Sequence, residues 1–127
     1  MANLNGFIKI HRKMVEWGWY ADTNTKVVFL HLLLTANFKP TMYLGHEIGI
    51  GQTVVGRKAL ADALGLSEQQ VRTALDKLER TKEITRKTTN RFTIVTVENW
   101  AIYQGVDDDD NQQITNKQPT SNHTLRM

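Results

Sequence analysis

The sequence predicts an α+β fold, a helix-turn-helix with a β-hairpin behind it, and three observations predict it. Residues 57–81 carry two amphipathic helical periods separated by Gly65-Leu66-Ser67. Residues 83–97 then switch to the alternation of two strands around a polar tip. Residues 26–37 are apolar nearly all round, which suits a central helix packed on several sides.

Gly6 to Ile10, with Phe7, Ile8 and Ile10 apolar, reads as a short strand or extended lead-in. His11 to Trp17 reads as helical, because Ile10, Met14 and Trp17 fall at i, i+4 and i+7 on one face. The capping residues of Ala21-Asp22-Thr23-Asn24-Thr25 then allow a helix from Lys26 to Asn37, and Lys39-Pro40 ends it. The Gly-punctuated stretch from Met42 to Val55 reads as short β pieces with a tight turn at Gly49 to Gly51. It is no phosphate-binding loop, since Gly51 is followed by Gln52-Thr53 where Lys-Ser/Thr is required.

Arg57 to Leu64 forms the next helix, Gly65 allows a sharp turn, and Ser67 caps a helix from Glu68 to about Thr81. Leu60, Ala61, Leu64, Leu66, Val71, Leu75 and Leu78 make the inward face, with Ala61 small where the helices cross. That arrangement points Gln69, Gln70, Arg72, Thr73 and Lys77 outward, a face suited to reading base edges or holding phosphates. An ordinary helical hairpin with a solvated face is the plain alternative. The strands Glu83–Lys87 and Arg91–Val97 bury Ile84, Phe92, Ile94 and Val97 around a Thr88-Thr89-Asn90 tip. A hairpin directly after such a helix is the wing of a winged helix, and Arg86, Lys87 and Arg91 set positive charge at or near its tip. The same charges also discourage edge pairing. Glu98 to Gln104 closes the domain, with Trp100 and Tyr103 packed on the core and Trp17, Trp19 or Tyr20 as partners.

The chain has 127 residues, 40% hydrophobic and 23% charged, a size and balance that fit one globular domain. It has no cysteine, which excludes a disulfide scaffold, a Cys-ligated zinc, an iron–sulfur cluster and a thiol nucleophile. No signal peptide and no membrane span is read, so a cytoplasmic protein is expected. The net charge of +3 is unevenly placed. Residues 105–127 hold four Asp against Lys117 and Arg126, a net of −2 in a polar stretch expected to be a disordered tail or linker. Residues 1–104 keep the other 14 Lys+Arg against 9 Asp+Glu, a net of +5, and form the expected folded domain.

Catalysis is not expected. His11, His31, His46 and His123 show no metal-ligand spacing, and no metal or other cofactor is called for. His31 is expected to be a satisfied buried side chain and His46 to lie at the surface.

Phe7-Ile8-Lys9-Ile10-His11-Arg12-Lys13, Gly51-Gln52, residues 57–78, and Asn99-Trp100 with Tyr103-Gln104 together resemble a known domain. It is the N-terminal winged-helix domain of phage and prophage replication proteins, the DnaD-like replisome organisers of low-GC Gram-positive bacteria. The resemblance covers residues 6–104, with residues 66–75 the most specific piece. It implies a winged helix-turn-helix that binds double-stranded DNA and self-associates, in a bacterial host cytoplasm. In that family a second helical domain, which contacts DNA and helicase-loading partners, follows the linker; the sequence stops at Met127, so helicase-loader contact is not carried over. Two positions depart from the pattern: Gly56 stands where Ser or Thr usually caps, and Lys82 where a left-handed Gly is common.

The expected DNA contacts are Gln69, Gln70, Arg72 and Thr73 toward the bases, Arg57, Lys58 and Lys77 on phosphates, Arg86, Lys87, Asn90 and Arg91 from the wing, and Ser67 at the helix start. Trp17, Trp19 and Tyr20 are the candidate self-association surface, since Trp and Tyr are over-represented at binding hot spots. A transcriptional repressor of the same fold and a protein-interaction or dimerisation module are the other functional readings.

Overall fold

The computed structural model describes residues 6–100 together with Gln104. The expected Tyr103 packing and the 105–127 tail lie outside the described residues. The order of elements is a 3₁₀ helix (Arg12–Glu16), α1 (Thr23–Thr35), β1 (Thr41–Tyr43), β2 (His46–Ile48), β3 (Gln52–Val55), α2 (Arg57–Leu64), α3 (Glu68–Arg80), β4 (Ile84–Thr88) and β5 (Thr93–Val97). The strands form two antiparallel sheets, a β1-β2 hairpin and a three-stranded sheet ordered β3-β5-β4.

The lead-in Gly6–His11 is not a strand, and the helix expected over His11–Trp17 is a 3₁₀ helix. With three residues per turn, Met14 and Trp17 stack on one side and are buried, while Ile10 is left exposed. Helix α1 starts three residues earlier than expected, because Asp22 accepts a hydrogen bond from the Thr25 N–H and so caps it. It ends at Thr35, since Ala36 is extended. Asn37 is therefore not helical but buried, exchanging main-chain hydrogen bonds with Gln52 and Gly51 and donating its amide to Thr41 Oγ1 and the Ile48 carbonyl. This one residue joins the end of α1 to both sheets, its side chain reaching the β1-β2 hairpin and its main chain the start of β3.

Val28, Phe29, Leu32 and Leu33 of α1 meet Leu60, Ala61, Val71, Ala74, Leu75 and Leu78 of α2 and α3, with Val55, Ile84, Val95 and Val97 of the sheet completing the core. Strand parity decides the last set. Ile84 pairs with Val97 and Arg86 with Val95, so Val95 and Val97 face the helices. The expected burial of Phe92 with Ile94 and Val97 mixed two faces. Ile94 is buried but stands outside the helix-facing core, and Phe92 lies in the turn before β5, with its ring centroid 5.1 Å from that of Tyr43 and 5.3 Å from that of His46.

Trp100, 1% exposed, packs against Phe38 and donates its indole N–H to the Leu33 carbonyl. Trp17 instead stacks on Phe29. The aromatic partners expected for Trp100 are thus replaced by Phe38, because Trp17 and Trp19 are held at the other end of α1, beside the α3–β4 junction.

Candidate nucleic-acid interface

Helix α2 begins at Gly56, which offers no side-chain hydrogen bond, and its first turn carries Arg57 and Lys58 with no acid. Two cations therefore stand at the positive end of a helix dipole whose N–H groups lack a side-chain cap, an arrangement that favours a nearby anion. Lys58 reaches Asp62 at 3.5 Å, but both side chains are largely exposed and the pair adds little. Gly65 then turns in the left-handed region, φ 72°, and Leu66 N–H closes the helix on the Ala61 carbonyl.

Helix α3 opens with a reciprocal capping box. Gln70 N–H donates to Ser67 Oγ at 3.0 Å, and Ser67 N–H donates to Gln70 Oε1 at 2.9 Å. Gln70, expected to reach bases, is thus bonded to Ser67, which caps the helix as expected. Gln69 and Thr73 stay on the outer face, where the Gln69 amide lies 3.4 Å from Thr73 Oγ1. Arg72 is exposed beside them. Helical spacing continues the Gln69–Thr73 stripe to Arg80, also exposed, which sequence reasoning missed although the i, i+4, i+11 spacing marks it.

Lys77 and Arg86 do not stand where phosphate contacts were expected. Lys77 Nζ donates to Asp22 Oδ2 at 2.6 Å and sits 5.4 Å from the Trp19 ring centroid, tying α3 to the start of α1. The Asp22 carboxyl is held below its ordinary range by that hydrogen bond first, against the opposing effect of burial, with the Thr25 bonds adding to it. Arg86 shares the face of Ile84 and turns back to α3, its Nε donating to Glu79 Oε1 and its Nη2 to Asp76 Oδ1, each at 2.7 Å. Burial opposes its charge, and the two carboxylates outweigh that and raise its pKa.

Lys87 projects from the other face of β4 and is exposed. Asn90 and Arg91 occupy an exposed turn that Thr89 holds rigid: its N–H donates to the Phe92 carbonyl, and its hydroxyl accepts from the N–H groups of Arg91 and Phe92. A half-open cleft of about 490 Å³ lies between α1, β3, the start of α2 and this turn, so Arg91 lines the same hollow as Gly56 and Ala59. His31 lines it too, and burial lowers its pKa.

The aromatic segment is folded into the chain itself. Trp17 is 7% exposed and donates its indole N–H to Glu83 Oε2, Trp19 donates to Thr81 Oγ1, and Thr81 in turn donates to Glu83. Tyr20 is the most open of the three and has the Lys26 ammonium 4.1 Å from its ring centre. Trp17 therefore cannot serve as an interface side chain in this fold.

Among the described residues no three His, Asp or Glu side chains gather as a metal site, and no helix is long and apolar enough to cross a membrane. No protein-family model, no curated protein and no solved structure matches the chain.

Proposed function

We propose that this chain is a winged helix-turn-helix domain that binds double-stranded DNA, acting in initiation of phage or prophage DNA replication in a bacterial host cytoplasm. The observation that carries the DNA reading is α3. It follows α2 through a left-handed glycine, starts with a fully made cap, and presents Gln69, Arg72 and Thr73 in its first two turns. A helix inserted by its N-terminal half brings those side chains to base edges in the major groove, and Arg72 suits guanine or a phosphate. Arg57 and Lys58 at the start of α2, with Lys87, Asn90 and Arg91 of the β4–β5 wing, supply backbone contacts on either side. The role in replication rests on the resemblance of residues 6–104 to replisome organisers. A repressor would use the same contacts on an operator.

Fluorescence anisotropy with a labelled duplex at low salt tests the reading. The wild-type chain should bind with an affinity that falls steeply as salt rises, because each neutralised phosphate releases counterion. Arg72→Ala should weaken binding by about tenfold or more. Failure of the chain to bind any duplex ends the DNA reading. Sequencing fragments selected from phage and host DNA separates origin repeats from an operator. Two copies on one site fit the modest affinity expected of a domain this size, and sedimentation with and without DNA measures that.

A further inference from the structure

Helix α3 carries three acids, Glu68, Asp76 and Glu79, against Arg72, Lys77 and Arg80. Lys77 is committed to Asp22, so the helix alone would present more negative than available positive charge. Asp76 and Glu79 follow Arg72 at i+4 and i+7, the spacing at which side chains share one side of a helix. Left alone, Asp76 is placed to capture Arg72, and both carboxylates lie beside the half of α3 proposed to meet a polyanion. The fold brings a fourth cation across from the sheet. Arg86 of β4 reaches both acids with two separate N–H groups at 2.7 Å each, and its side chain is only 24% exposed.

We propose that Arg86 is a positioning residue for DNA binding: it holds Asp76 and Glu79 and so leaves Arg72 free to engage DNA. This rests on the DNA-binding reading given above. Arg86 itself touches no DNA. Its planar fork serves two carboxylates at once, which a lysine ammonium matches poorly. The wing strand thus sets the charge of the helix in front of it, beyond contributing contacts at its own tip.

The test measures duplex affinity over a salt series for the full chain, with circular dichroism melts confirming that each variant is folded. Arg86→Met should weaken binding by about tenfold, and Arg86→Lys by an intermediate amount. Arg72→Ala should then add little in the Arg86→Met background, because Asp76 already sequesters Arg72. Adding Asp76→Asn and Glu79→Gln to Arg86→Met should restore wild-type affinity or exceed it. The control Arg86→Met with Glu16→Gln and Glu47→Gln has the same net charge, its two neutralised acids being exposed and elsewhere, and should stay weak. Multiplicative losses for Arg72→Ala and Arg86→Met, or equal rescue by the control, would overturn the proposal. Should Arg86→Met unfold, Asp76→Asn with Glu79→Gln in the wild-type background decides: the proposal expects binding kept or tightened, and a loss overturns it. Wild-type binding that folded Arg86→Met leaves intact overturns this inference alone, whereas no binding by the wild type removes the DNA reading with it.

Discussion

Lys77 of α3 donates to Asp22, the N-cap of α1, across 2.6 Å, so a lysine expected on an open face ties the two helices together. Asp22→Asn keeps the cap and removes the charge, which separates the two roles. A carboxyl whose folded pKa is depressed contributes stability above its unfolded value near ~3.9, and that stability is lost as pH falls through the folded value. Asp22→Asn should therefore cost about 1 kcal/mol at neutral pH and less at acid pH, below the ordinary carboxylate range. Urea unfolding at both pH values checks this. An equal cost at both would assign the effect to the cap instead.

Trp17→Phe should cost about 1 kcal/mol, since the ring stays against Phe29 while the indole N–H to Glu83 is lost. Trp17→Ala should cost about 3–5 kcal/mol through the cavity it leaves. Trp19→Phe should cost less than either, because its bond to Thr81 is exposed. Denaturant midpoints of the three variants give the order, and a costless Trp17→Ala would show that this segment does not dock.

Leu44 and Gly45 join β1 to β2 as a two-residue loop with φ 48° and 83°, and a leucine is a poor occupant of a left-handed position. Leu44→Asn should raise stability by about 0.5–1 kcal/mol. Its readout is the thermal midpoint. A lower midpoint would mean that the exposed leucine makes contacts worth more than the strain it carries.

Gly51 has φ 79°, and a Cβ there would stand 3.2 Å from Trp100 Cβ and 3.5 Å from the Val97 carbonyl. Its N–H and carbonyl already bind Asn37 and Val97, so the backbone has little room to move. Gly51→Ala should destabilise by about 1–3 kcal/mol, where Gly56→Ala, with open space around it and φ −125°, should cost less, limited to the weaker N-cap. Paired urea curves compare the two.

Local signals were legible in the sequence and long-range pairings were not. Arg57–Leu64 and the Ser67 cap are written in adjacent residues, and the helix and cap stand where they were expected. Lys82, which stands where the winged-helix pattern it resembles commonly has a left-handed Gly, adopts that backbone with φ 68°. Arg86 was misplaced even though its signal was present: lying two residues beyond buried Ile84, it must share that strand face. Reading its charge as an address for DNA overlooked the acids that α3 would bring opposite. Lys77 was misplaced because its partner Asp22 lies 55 residues away, beyond the reach of any local period. The turn Thr89–Phe92 starts one residue later and ends two residues later than the expected tip, because the Thr89 hydroxyl, rather than the apolar alternation, decides where the chain reverses.

At the edge of the fold, the Gln104 side-chain amide takes the N–H of Lys9 at 2.6 Å and gives its own N–H to the Lys9 carbonyl at 2.9 Å. Ninety-five positions of chain therefore begin and finish at one knot. In mechanical terms, this pair clasps the two ends of the described domain together. A pull applied through one end and resisted at the other would load these two hydrogen bonds before it reached α1 or α3.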